Sequence, residues 1–170
     1  VERNQAWLPR LSGMLDDSND EVLNEEIRFK REAVIRNLLS EDMLGLNGIR
    51  TLSSDSVRYS PDRYHNGTSW PWVSYVIAEE GLRRYGYDAE ADEVENRVMI
   101  ACEETGLLGE YFSGSNDPNH RLVDQRVVVE NPTLTTDPIY PVSQPAQEVQ
   151  AWTTAAVLAI KRRRGKRTYS

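Results

Sequence analysis

Cysteine, histidine and phenylalanine are nearly missing from this chain: 170 residues hold one Cys, two His and two Phe. The single Cys102 excludes an internal disulfide framework and a cysteine-built zinc site. His65 and His120 alone do not make a histidine-rich metal centre, so neither a metal nor a cofactor is expected. No run approaches the ~20 apolar residues of a membrane span, and the first residues lack the charged-then-apolar pattern of a signal peptide. A cytoplasmic location with no membrane partner is the default expectation. There is no Gly-rich phosphate loop, no G-x-S-x-G and no setting for a nucleophilic cysteine. Basic charge is scarce except at one end. Residues 161–170 carry six of the 20 Lys and Arg, which leaves 14 against 27 acidic residues in the rest. An acidic body repels phosphate, so a nucleic-acid partner is not expected. The basic tail itself reads as the solvated end of a last helix, whose dipole favours cations there. Contact with RNA or an anionic lipid surface is the alternative.

What is present is helical period. Ser18-x-x-Glu21 has capping-box spacing, and Leu23, Ile27, Val34 and Leu38 fall on one stripe, which predicts a helix over 18–39. Gly45 and Gly48 stop regular structure. A second helix is expected from Ser69 as cap and Pro71 in the first turn, through Tyr75, Ala78, Leu82 and Tyr85, to Gly86. Asp88 caps a third, with Ala91, Val94, Val98 and Ala101 on one side and Gly106 closing it. A link this short between them makes an antiparallel hairpin. One β-like run, Arg126–Glu130, interrupts the loop that follows. A last helix fits 147–163, with Val149, Trp152, Ala156 and Ile160 in one stripe. The fold class is all-α: helical hairpins joined by two long irregular loops. Loops that long are uncommon in a compact domain unless functional.

Those loops hold the chemistry-bearing residues. Tyr64 to Trp72 (YHNGTSWPW) gathers His65, Asn66, Trp70 and Trp72 around a glycine at a helix start. Sugars offer C–H faces that stack on aromatics and hydroxyls that need donors and acceptors, and this mix supplies both. The plainer reading makes Trp70 and Trp72 core anchors and His65 a loop histidine; the residues alone leave both open. Gly109 to Gly114 (GEYFSG) isolates Glu110 beside Tyr111, between glycines and aromatics. A general base needs such an unpaired carboxylate at a cleft, although an ordinary exposed loop Glu has the same surroundings. Arg50 is a lone guanidinium suited to hydroxyls or a carboxylate. Gln150 opens the last helix, able to point at a cleft, with Trp152 turned inward.

Taken in order, GIRTLS (48–53), YHNGTSWPW (64–72), GEYFSG (109–114) and QAW (150–152) resemble the C-terminal part of glycogen-debranching amylo-α-1,6-glucosidases. More loosely, the chain is similar to the wider (α/α)6-barrel glycosidases. The resemblance spans about residues 38–160 and implies a toroid of helical hairpins with sugar bound by the loops at one end. It further implies inverting hydrolysis of an α-glucosidic bond, with Glu110 as general base. His65, Asn66, Trp70, Trp72, Tyr111, Arg50 and Gln150 would line the subsite of an α-glucan or oligosaccharide. In these relatives the general acid is an Asp on an earlier hairpin. Asp62, Asp117 and Asp124 lie in suitable loops but in no acid motif. Twelve helices need roughly 200 residues at least, so residues 1–170 are expected to be one C-terminal segment, a partial (α/α)6 toroid. Its partner would then be the missing N-terminal half, and the segment alone would be inactive. Two other functions fit the same pattern. One is a non-catalytic glycan-binding scaffold; the other is an (α/α)6 hydrolase of trehalose, mannosylglycerate or N-glycan glucose.

Overall fold

The computed structural model describes residues 20–123 and 146–167. Helix α1 spans Glu21–Leu38. Its cap is Asp20, whose carboxylate accepts from the Val22 and Leu23 N–H groups at 3.0 and 3.2 Å. The cap expected at residue 18 lies outside the described residues; the Asp20 carboxylate, one residue before the first turn, satisfies two of its orphan donors. Only the second half of the stripe is buried: Ile35 and Leu38 face the core, whereas Val22, Leu23 and Phe29 are exposed.

Gly45 and Gly48 do more than end structure. Leu44–Gly45 (β1) and Gly48–Ile49 (β2) pair antiparallel as a two-residue hairpin, with Gly48 at φ 112°. Helix α2, Pro71–Val76, runs on as a π-helical stretch, Ile77–Leu82, and a 3₁₀ turn, Arg83–Tyr85. The Arg83 N–H donates to the Ala78 carbonyl five residues back, one residue wider than an α-turn. Gly86 (φ 82°) turns the chain into α3, Asp88–Thr105, and Gly106 (φ 70°) ends it, both as expected of left-handed C-caps. Asp88 is the first residue of α3 rather than its cap. Helix α4 is Ala151–Arg167, displaced four residues from the expected range because Gln150 caps it. The run 126–130 lies outside the described residues.

The architecture is all-α, with helical hairpins as the packing unit, as a partial toroid requires. Ile77, Ala78 and Leu82 close with Ala91 and Val94 over Ile35, Leu38, Leu44 and Ile49. Lower on α3, Val98, Ala101 and Cys102 meet Phe112, Val157 and Ile160, which fastens α4 and the 109–114 segment to the same helix. Burial pushes the Cys102 thiol up to about 11, so it stays a protonated core group.

Between these layers lies a buried charge cluster. Glu95 is 0% exposed and is gripped by both Arg163 Nη atoms, with Arg83 Nη2 at 3.5 Å. Arg83 also reaches Glu79, Asp88 and Asp92, and Arg163 pairs with Glu79. The expected solvated basic tail is therefore corrected at its start: Arg163 locks α4 onto α3, and Arg164 donates to Asn96. No helix among the described residues is long and apolar enough to cross a membrane.

Candidate functional site

Two loops meet because their backbones pair. Ser69 and Phe112 exchange N–H···O bonds of 2.9 and 2.8 Å, and Thr51 N donates to Thr68 O at 2.9 Å. Ser69 was expected to cap α2; instead its hydroxyl donates to the Asn47 and Ile49 carbonyls, tying the hairpin to this junction. On the far side, Glu110 N donates to Gln147 O, Gln150 N to Leu108 O and the Thr153 hydroxyl to Gly109 O, each at 2.9 Å. Glu110 thus sits on a segment strapped between the 64–72 loop and the start of α4.

Arg50 is the hub of this frame. It is 1% exposed, and its guanidinium donates to the Gly114 and Glu41 carbonyls and to Asn116 Oδ1 at 2.7, 2.9 and 2.6 Å. Buried and bonded to three oxygens of the frame, Arg50 tethers the two loops rather than standing open at a subsite as expected. Gly114 is packed as tightly. A Cβ there would overlap the Gly67 carbonyl, and the Tyr59 hydroxyl donates to the Gly114 carbonyl at 2.8 Å. Gly114→Ala should cost about 2 kcal/mol, in the range of overpacked cores. The check is the urea midpoint, and an unchanged midpoint would contradict the contact.

The aromatic groups converge on Glu110. Tyr64 stands edge-on to His65, Trp70 and Tyr111, with ring centroids 4.5, 4.6 and 5.1 Å away. Trp70 stacks near-parallel on both Tyr111 (5.6 Å) and His65 (5.8 Å). Thr68 Oγ1 and Trp70 Nε1 both donate to the Tyr64 carbonyl, so the loop folds back on itself. The Tyr64 hydroxyl donates to Glu110 Oε1 at 3.1 Å. Trp72 continues the row, edge-on to Trp152 at 4.6 Å.

These contacts divide the expected site residues. Glu110, His65, Trp70 and Trp72 come together, and Asn66 lies half-buried in the same turn with its N–H donating to Arg63 O. Tyr111 does not face a ligand. It is 2% exposed, and burial and the nearby Glu110 charge push its phenol to about 12. It is corrected to a backing wall behind Trp70. Gln150 caps α4 through its Oε1, which accepts from the Trp152 and Thr153 N–H groups. Trp152, expected inward, is 56% exposed at the outer end of the aromatic row. Sequence reasoning passed over Tyr64, although it stands in the motif beside His65. Its partner is 46 residues away, and only the meeting of the loops identifies it.

Of Asp62, Asp117 and Asp124, the two described ones already have partners of their own. Asp62 is buried against His120 Nε2 at 2.9 Å, and Asp117 Oδ1 accepts from the Asn119 N–H and side-chain amide. Asp124 lies outside the described residues. Among the described residues, no group of three or more His, Cys, Asp or Glu is placed to hold a metal ion. The arrangement places the exposed His65 imidazole, at the outer end of the Tyr111–Trp70 stack, and the tryptophan row beside one half-exposed carboxylate.

Residues 22–124 match the model of the mannosylglycerate hydrolase MGH1-like glycoside hydrolase domain. A mannosylglycerate hydrolase of Rubrobacter radiotolerans is 36% identical over 62 residues. That stretch is 36% of this chain and 14% of the relative's length.

Proposed function

Because this chain belongs to the MGH1-like glycoside hydrolase domain family, we propose that it supplies the general base and one wall of the sugar pocket of an inverting glycosidase. The observation that carries this is Glu110, a half-exposed carboxylate held by Tyr64 at the edge of the His65–Trp70–Trp72 surface. In the reaction, Glu110 takes a proton from water while the water oxygen bonds to the anomeric carbon. The glycosidic bond breaks on the opposite face, and its electron pair leaves with the aglycone oxygen, protonated by a carboxylic acid. Inversion places that acid about 6.5–9.5 Å from the base. It belongs to a part of the protein beyond the described residues.

The substrate is an α-glycoside with a small aglycone, of the mannosylglycerate type. What supports this is the family match together with the relative from Rubrobacter radiotolerans. The α-1,6-glucosidic linkage of a glycogen branch point stands second, supported by the four ordered motifs at residues 48, 64, 109 and 150. The test gives the full-length protein α-mannosylglycerate, a limit dextrin and trehalose, and follows the released sugar by proton NMR. β-Mannose appearing first from mannosylglycerate is the expected result, and β-glucose from the dextrin would select the second reading. An α-anomer as first product would overturn inversion. Binding of malto-oligosaccharides without hydrolysis of any substrate would make the chain a scaffold.

A further inference from the structure

Glu110 presents two inequivalent oxygens. Oε1 accepts the Tyr64 hydroxyl at 3.1 Å, whereas Oε2 has the Gln147 N–H at 3.5 Å, the outer edge of hydrogen bonding. We propose that Tyr64 is a positioning residue for Glu110: its hydroxyl fixes Oε1 and so leaves Oε2 as the oxygen that takes the proton from the attacking water. This rests on Glu110 being the base.

The geometry makes Tyr64 suited to that task. Three rings hold its phenol edge-on, and two donors pin its carbonyl, so the hydroxyl has little freedom to turn away. Burial, and then the hydrogen bond to Glu110, push the phenol above its ordinary value. It therefore remains a donor throughout the neutral range. The other titratable groups at this spot are Tyr111, protonated and buried behind Trp70, and His65, which caps the stack on the solvent side.

Tyr64→Phe keeps the ring packing and removes only the hydroxyl. In the full-length enzyme kcat should fall about tenfold with KM within about twofold, since a loose base loses its alignment. The unfolding midpoint should stay where it was, which separates lost alignment from lost packing. Replacing Tyr64 by 3-fluorotyrosine, which keeps both the ring and the hydroxyl, should hold kcat within about twofold of the wild type, and it keeps the test open if Tyr64→Phe folds poorly. A Glu110→Gln enzyme that stays active would overturn the base assignment itself. An inactive Glu110→Gln beside a Tyr64→Phe with unchanged kcat would overturn the positioning role alone.

Discussion

Glu110→Gln should lower kcat by 10²–10⁴-fold while leaving the unfolding midpoint where it was. General-base catalysis contributes about that much, and the amide nitrogen of Gln cannot take a proton from water. The fold should not notice the change. Gln keeps an oxygen for the Tyr64 hydroxyl, and the backbone bond from residue 110 to Gln147 O needs no side chain. A partly exposed substitution of this kind shifts stability by about 0.5 kcal/mol or less. Azide added to the variant should restore part of the turnover, because an anionic nucleophile needs no deprotonation, and the product should carry the inverted configuration. Hydrolysis within tenfold of the wild type would remove Glu110 from the mechanism.

The second large effect is on stability. Glu95→Gln should cost about 3 kcal/mol in urea unfolding of the full chain. Glu95 is fully buried between two guanidiniums, and Arg83 and Arg163 would then face each other with one negative partner fewer. Breaking a buried pair from one side costs about 3–5 kcal/mol, because the remaining charge keeps its desolvation penalty. Glu79 and Asp92 stay close enough to both arginines to hold the loss at the low end. Replacing the pair together, Glu95→Leu with Arg163→Met, should recover most of the loss, since apolar substitutes for a buried ion pair are often neutral. A single-variant loss below about 1 kcal/mol would mean that the cluster is not truly dry.

Sequence reading served best where one residue decides the outcome locally. Gly86 and Gly106 end helices because each adopts positive φ, and the stripe Ala91, Val94, Val98, Ala101 is fully buried on α3. It served least where the choice of partner is long-range. The guanidinium of Arg50 suits hydroxyls as well as carbonyls, and nothing in its neighbours says that Gly114, 64 residues away, is nearer than any sugar. Tyr111 sits next to Glu110 in sequence yet on the buried side of Trp70, and Gln150 spends its carbonyl oxygen on its own helix. The hairpin at 44–49 escaped because two-residue strands carry no period to detect. The base candidate itself was legible because glycines on both sides of GEYFSG announce a segment shaped by its surroundings.

The π-helical stretch between Ile77 and Leu82 marks a place where this chain can vary in length. An i→i+5 turn takes one residue more than an α-turn for about the same rotation. The extra residue is therefore absorbed within the wide turn, and the two ends of the rod keep nearly the directions that an unbroken α-helix would give them. At its start stand Trp70 and Trp72; at its finish Arg83 faces Glu95. Deleting one residue from 77–82 should restore ideal α-geometry and leave Arg83 close to its carboxylates. Homologous chains should accordingly tolerate one residue fewer here, and not elsewhere between the tryptophan pair and this arginine.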